Sequence, residues 1–107
     1  MDWMAMPPLT ALRAFAVYCE TGSMSAAGAR LNVSHAAISQ QIRALEQHLG
    51  QTLIDRGGAR GELTEAGDML ADAVQGGFER IYRAVSELTG ADAERPVQIT
   101  TPPAFAA

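Results

Sequence analysis

Small and hydrogen-bonding side chains share one face of a predicted helix near the middle of this chain, over residues 34–48. They are Ser34, His35, Ala36, Ser39, Gln40 and Arg43. The opposite face carries Ile38, Ile42, Leu45 and Leu49, at steps of four, three and four residues. That spacing is typical of an amphipathic helix whose apolar stripe packs on a core. The polar face is therefore free to contact a ligand, and its residue types favour recognition over bond-making chemistry.

The residues that hold metals or break bonds do not form a recognisable set in this sequence. His35 and His48 stand thirteen residues apart, and the single cysteine, Cys19, is distant from both. A zinc site takes three or four such ligands, and no nucleophile has a histidine and an acid at a known spacing. The glycine-rich "RGGARG" lacks the spacing of a phosphate-binding loop. We therefore expect no catalytic residues, no metal and no cofactor.

The polar face of the 34–48 helix has residue types that suit a DNA major groove. Gln40 can pair with adenine, Arg43 can pair with guanine or hold a phosphate, and the Ala36 methyl group can meet a thymine methyl. Ser34 is a predicted N-cap, so the first N–H groups and the positive end of the helix dipole point at whatever docks there. For this face taken alone, an ordinary solvated helix surface is the alternative.

Two shorter helices precede this one and position it. The first lies in "PPLTALRAFAVYCETGS", between a proline start and Gly22. Its apolar residues at helical spacing are Leu9, Leu12, Phe15, Ala16 and Cys19. The second is "SAAGARL", with Ser25 as its predicted N-cap and Gly28 inside it. Glycine there costs roughly 1 kcal/mol relative to alanine, which indicates the close approach of another helix. The turn "NVS" completes a helix-turn-helix.

The segment "QTLIDRGGARGELT" predicts a β-hairpin, or wing, over residues 52–63. "TLI" and "EL" are its short strands, and the glycine-rich loop joins them. Arg60 at the tip suits a minor groove, and Arg56 suits the DNA backbone. Two arginines that only keep a loop soluble are the alternative.

A long helix is predicted over residues 65–90, with Thr64 as its N-cap. Apolar and small residues recur along it at steps of four, three, four, three and four. They are Leu70, Val74, Gly77, Ile81, Ala84 and Leu88. This heptad seam predicts a homodimer, and packing of the stripe on the chain's own body is the alternative. Residues 91–107 are interpreted as a hinge and, at "VQIT", the truncated start of a second domain.

The net charge of −4 is located in the C-terminal part of the chain. Residues 1–64 hold five acids and five arginines, and residues 65–107 hold seven acids and three arginines. The neutral first part is compatible with DNA binding, although the acidic long helix supports a rival function as a protein-interaction module built on a helix-turn-helix scaffold. One cysteine and no run of about 18 apolar residues favour a cytoplasmic protein without a membrane span.

The ordered motifs "LRAF", "GSMSAAGARLNVSHAAISQQIRALEQHLGQTLIDR" and "LTEAG" resemble the N-terminal domain of LysR-type transcriptional regulators, over about residues 9–90. The resemblance implies a dimer-forming linker helix, a tetramer in some full-length proteins, and a C-terminal domain that binds a small-molecule effector. It places base-reading residues at His35, Ala36, Ser39 and Gln40, and backbone contacts near Ser34, Arg43, Arg56 and Arg60. "PPLTALRAF" and "VQITTPPAFAA" resemble, more weakly, the subgroup of glycine-cleavage-type activators.

The sequence therefore predicts a mainly α fold, a winged helix-turn-helix of three helices plus a short two-stranded wing, followed by a long linker helix. Its parts are an extension over 1–8, the winged domain over 9–64, the linker dimerisation helix over 65–90 and the hinge over 91–107. We expect a homodimer that binds double-stranded DNA. A protein-interaction module is the first rival function. A small enzyme is the second, and the lack of any acid–base set in the sequence argues against it.

Overall fold

The computed structural model describes residues 1–57 and 62–90. After a single 3₁₀ turn over Trp3–Ala5, the elements are α1 (Leu9–Thr21), α2 (Met24–Leu31), α3 (His35–Leu49), β1 (Ile54–Asp55), β2 (Glu62–Leu63) and α4 (Glu65–Thr89). The tip of the predicted wing, with Arg60, and the predicted hinge over 91–107 lie outside the described residues.

Helix α1 begins after Pro8 and ends at Gly22, whose φ of 83° is a left-handed conformation that glycine adopts without strain. Its buried residues include Leu12 and Phe15, and it packs on both α2 and α3. Leu9 was expected in the same buried stripe but is 67% exposed. It is the first residue of the helix and lies at its open end, so the buried stripe begins one turn later.

Helix α2 is capped two residues earlier than the sequence suggested. The Ser23 hydroxyl accepts a hydrogen bond from the Ala26 N–H at 2.9 Å, so Ser23 is the N-cap and the prediction of Ser25 is wrong. Both serines stand close before the two alanines of the helix, and only the backbone conformation decides which one caps. The helix ends at Asn32, which has a φ of 61°.

Gly28 is required by the turn that follows α2. A Cβ atom at this position would lie 2.6 Å from the Val33 carbonyl oxygen and 3.2 Å from the His35 nitrogen. The expected close approach is therefore real, and it is made by the backbone of the turn and of the first residue of α3. This contact sets the spacing between α2 and the start of α3.

Helix α3 is capped by Ser34 as predicted, since the Ser34 hydroxyl accepts from the Ala37 N–H at 3.1 Å. Ile38, Ile42 and Leu45 are at most 1% exposed and form the centre of the core with Phe15. Leu49, the last residue of the predicted stripe, is 38% exposed because it lies at the helix end beside Gly50.

The wing is a two-stranded antiparallel ladder in which Ile54 pairs with Leu63 and Asp55 pairs with Glu62. The first strand begins two residues later than the predicted "TLI". Leu53 and Ile54 are nearly fully buried, so the base of the wing belongs to the core. Thr64 follows directly, and its hydroxyl accepts from the Gly67 N–H at 3.0 Å, which confirms it as the N-cap of α4.

The described part of the chain divides into two units, one over residues 1–75 and one that begins at residue 76, and α4 contributes to both. Within the first unit, the Gln75 amide donates to the Ala16 carbonyl at 3.4 Å, which ties the first part of α4 to α1. Val74 is 8% exposed and packs inside this unit. None of the described helices is long and apolar enough to cross a bilayer.

Candidate nucleic-acid interface

The predicted polar face of α3 is accessible to solvent along its first three turns. Ser34, His35, Ala36, Gln40 and Arg43 are exposed, and Ser39 is half-buried. The apolar face of the same helix is buried, so the amphipathic pattern has placed these side chains on the outer surface. The structure thus brings the predicted reading residues together on one surface, while their contacts with bases stay a prediction.

The start of α3 presents backbone donors as well as side chains. Ser34 satisfies the N–H of Ala37, but helix geometry gives the N–H groups of His35 and Ala36 no intrahelical acceptor. These donors and the positive end of the helix dipole favour an anion at this end. A phosphate is the anion that duplex DNA offers at such a point.

Arg43 is the cation of the exposed α3 face. Its side chain is exposed, and it forms no ion pair within residues 1–57 and 62–90. A guanidinium without a carboxylate partner keeps all of its donors for a ligand. Arg43 therefore has both the charge and the freedom that a contact with guanine or phosphate requires.

Arg56, predicted to contact the DNA backbone, has a partner inside the protein. Its Nη1 lies 3.0 Å from the Glu46 Oε1 atom, and the two side chains are 31% and 13% exposed. Sequence reasoning missed Glu46, which lies in α3 ten residues before Arg56. No local pattern marks such a pair, because the loop that joins α3 to β1 brings the two side chains together.

The Glu46 carboxylate also binds the backbone at the base of the wing. Its Oε2 atom accepts from the Leu53 N–H at 2.8 Å and from the Ile54 N–H at 3.2 Å. Burial of the carboxyl opposes its ionisation, but the hydrogen bonds from Leu53, Arg56 and Ile54 outweigh that effect and lower the pKa of Glu46 below 4.5. Ionised Glu46 therefore connects the exposed helix to the wing through hydrogen bonds and an ion pair.

The seam predicted along α4 is only partly available to another molecule. Val74 is buried in its own subunit and Leu70 is half-buried, because the first part of α4 covers the winged domain. The prediction that Val74 faces a partner is therefore corrected. Gly77, Ile81, Ala84 and Leu88 are exposed, with Ile81 at 58% and Leu88 at 85%. The accessible seam begins at Gly77.

Metal binding and thiol chemistry are not supported by the part of the chain that the structure describes. There, no group of three His, Cys, Asp or Glu side chains is arranged to hold a metal ion. Burial, with smaller effects from the charges of Asp68 and Glu20, raises the pKa of the Cys19 thiol to about 11. Such a thiol is protonated at neutral pH and is a poor nucleophile.

The sequence matches the family model described as "Bacterial regulatory helix-turn-helix protein, lysR family" over residues 9–68. Among curated proteins, it is 47% identical over 106 residues to the AhcY transcriptional activator HvrB of Rhodobacter capsulatus, covering 99% of this chain and 36% of that protein. It is 39% identical over 97 residues to the HTH-type transcriptional regulator TrpI of Pseudomonas aeruginosa, covering 91% of this chain and 33% of that protein. The chain thus spans about a third of the length of these relatives, and neither is named as a glycine-cleavage activator.

Solved structures share the fold. The BenM DNA-binding domain in complex with benA site 1 DNA superposes with a TM-score of 0.69 at 25% identity, over 82% of this chain and 99% of that chain. The Vibrio fischeri DarR structure in complex with DNA gives a TM-score of 0.63 at 28% identity, over 78% of this chain and 28% of that chain. The predicted winged helix-turn-helix class is confirmed.

Proposed function

The chain belongs to the LysR family of bacterial regulatory helix-turn-helix proteins, and from this premise we propose that it binds double-stranded DNA sequence-specifically as part of a transcriptional regulator. The observation that carries the proposal is the exposed, capped face of α3, opposite a buried stripe, on a fold that neighbours use in DNA complexes. A regulator of this kind acts in the bacterial cytoplasm, where its DNA lies.

Helix α3 enters the major groove with its N-terminal turns leading. Gln40 reads adenine through its amide, while Arg43 contacts guanine or a phosphate. The N–H groups of His35 and Ala36 hold a phosphate beside the Ser34 cap. Ser39 is half-buried, so it lies where the helix surface meets the groove most closely. Its hydroxyl can form a hydrogen bond with a base edge.

The wing lies near the minor groove and supplies backbone contacts. Arg60 at its tip inserts toward the groove, and Arg56 contacts a phosphate beside it. Both roles follow from the family resemblance. The position of the Arg56 guanidinium near the surface, at the base of the wing, supports the second role.

The protein binds as a homodimer through the second half of α4. The exposed seam of Gly77, Ile81, Ala84 and Leu88 supports this, because water is excluded from such a stripe only when a partner covers it. Two copies of α3 then meet the duplex about one helical turn, or a multiple of it, apart. Any response to a small-molecule effector, and any tetramer, belongs to the part of the relatives that this chain does not match.

The protein-interaction alternative is not favoured, since the relatives are named as transcriptional regulators and the structural neighbours include DNA complexes. A shallow or absent salt dependence of binding to duplex DNA would support it. We further propose that the chain has no enzymatic activity, because the relatives that it matches are named as transcriptional regulators.

The proposal is tested with a duplex selected from a random pool by the unaltered protein. Gln40→Ala and Arg43→Ala should each weaken binding to this duplex by about 1–3 kcal/mol, with unchanged helicity by circular dichroism. Gln51→Ala and Arg83→Ala are matched controls, because both side chains are exposed and lie outside α3. If the electrophoretic shift is the same for all four variants, α3 does not read the duplex.

A further inference from the structure

Glu46 connects α3 to the wing through three donors. Its Oε2 atom accepts from the N–H groups of Leu53 and Ile54, and both carboxylate oxygens lie within 3.3 Å of the Arg56 Nη1 atom. The carboxylate is 13% exposed and faces inward, while Arg56 is 31% exposed and reaches solvent. The pair therefore has a half-buried acid and a more exposed cation.

Only one nitrogen of the Arg56 guanidinium is used by this pair. The remaining donors, on Nη2 and Nε, have no hydrogen-bond partner among the described residues. A guanidinium carries five N–H donors in a fixed plane, so one edge can bind a carboxylate while another binds a second anion. The unused donors are the ones available to an external oxygen.

We propose that Glu46 is a positioning residue for DNA binding, which holds the Arg56 guanidinium so that its free N–H groups meet a phosphate of the duplex beside the wing. This inference rests on the proposed function and adds a residue that makes no DNA contact itself. Glu46 is part of the reading helix, so the phosphate contact is held at a fixed distance from the base-reading side chains.

Holding Arg56 in advance lowers the entropy lost when the phosphate binds. A free arginine side chain loses rotamer freedom when a ligand fixes it, and here Glu46 has already fixed it. The wing base does not depend on Glu46 alone, because the Thr64 N–H donates to the Leu53 carbonyl at 2.9 Å and the Thr64 hydroxyl donates to the Thr52 carbonyl at 2.6 Å. Removing the Glu46 charge therefore leaves the wing attached.

The test compares Arg56→Gln, Glu46→Gln and the double variant, on the duplex selected by the unaltered protein. Arg56→Gln should weaken binding about tenfold and reduce the slope of log affinity against log salt by roughly 0.9 per subunit. Glu46→Gln should produce the same loss of slope, although it removes a negative charge. The double variant should bind no worse than Arg56→Gln, because both changes remove one contact.

A second readout locates the contact on the DNA. Single phosphates of the selected duplex are replaced with neutral methylphosphonates. At one position in each half-site, this replacement should weaken binding by the unaltered protein. For the Arg56→Gln and Glu46→Gln variants, replacement at that position should leave the affinity unchanged. Replacement at the other positions should weaken their binding as much as it weakens binding by the unaltered protein. The exposed pair Glu79 and Arg83 gives matched controls, since Glu79→Gln and Arg83→Gln make the same charge changes away from the wing.

Several results would overturn the proposal. Tighter binding and a steeper salt slope for Glu46→Gln would show that the acid competes with DNA for Arg56. Losses that multiply in the double variant would show that Glu46 and Arg56 act independently and not through one contact. A salt slope that is unchanged in both single variants would show that the pair only stabilises the fold. Weaker duplex binding by the Gln40→Ala variant, together with unchanged binding by the Glu46→Gln variant, would support the proposed function while rejecting this inference.

Discussion

At the scale of single residues, Glu46 links protonation to folding. Its carboxylate accepts hydrogen bonds from Leu53, Ile54 and Arg56, and its pKa lies below 4.5 in the folded chain. In the unfolded chain these donors are dispersed in water and the pKa returns to its ordinary value. Folding therefore binds the ionised form more strongly, and the stabilisation it provides depends on pH.

The direction of that dependence is fixed by the lowered pKa. The stabilisation is fully present above about pH 4.5, the ordinary carboxyl pKa, and is lost as pH falls through the lower pKa of the folded state. Glu46→Gln should reduce the free energy of unfolding in urea by a constant amount from about pH 6 to 8. Below about pH 4.5 the difference between the two proteins should shrink.

The control for this pH prediction is Glu79→Gln, which removes one negative charge from an exposed ion pair on α4. Subtracting its effect corrects for the change in net charge. A difference between the unaltered protein and the Glu46→Gln variant that stays constant into the acid range, or grows there, would contradict the assignment of Glu46 as a stabilised carboxylate.

At the scale of elements, the ends of the helices are set by short-range contacts, between residues at most four positions apart in the sequence. Ser34, Thr64 and Gly22 were all predicted correctly, because capping uses a hydrogen bond or a left-handed φ at the position itself. The start of α2 was wrong because "SMS" offers two serines. A local pattern limits the cap to those two without choosing between them.

Ser23 and Ser25 form a matched pair for testing the start of α2. Ser23→Ala removes the acceptor of the Ala26 N–H and should cost about 1 kcal/mol of stability. Ser25→Ala lies within the helix and is exposed, so the change should be neutral or slightly stabilising because alanine is the better helix former. Thermal unfolding followed by circular dichroism measures both, and equal losses would contradict the assigned cap.

Burial and ion pairing were harder to predict than helix ends, for a physical reason. The apolar stripes of α1 and α3 fixed which side chains face the core, as Phe15 and Ile42 show. The burial of Leu9 and the partner contact of Val74 were predicted wrongly. Helical periodicity predicts which face of a helix is apolar, but it does not predict which neighbouring element covers each turn. The pair of Glu46 and Arg56 was missed because its partners meet only when the loop after α3 folds back.

At the scale of the whole molecule, net charge does not attract this protein to DNA. The chain carries −4 overall, so long-range electrostatics oppose a polyanion. Affinity must come from local contacts at α3 and the wing, repeated in two linked copies. Linking two sites raises the overall affinity by 10²–10⁴, as a rough range, without any new contact. Dimerisation is therefore a condition of tight binding in this proposal.

The dimer prediction is tested at Ile81, which is 58% exposed on the accessible seam of α4. Ile81→Arg should place a charge in the apolar seam of both subunits, because a two-fold interface uses the same patch of each copy. Sedimentation should then report a monomer where the unaltered protein is a dimer. Binding to the selected duplex should weaken by roughly the 10²–10⁴ that linkage supplies.

Tyr82→Arg is the matched control, since Tyr82 is 70% exposed on the same helix but lies about 100° away from Ile81 around its axis. It should leave the sedimentation mass unchanged, because a charge there stays in water. A dimer that survives Ile81→Arg would reject the seam, and a monomer from both variants would extend the interface to the Tyr82 side of the helix. Equal duplex affinity for monomer and dimer would show that a single α3 suffices, which the unfavourable net charge argues against.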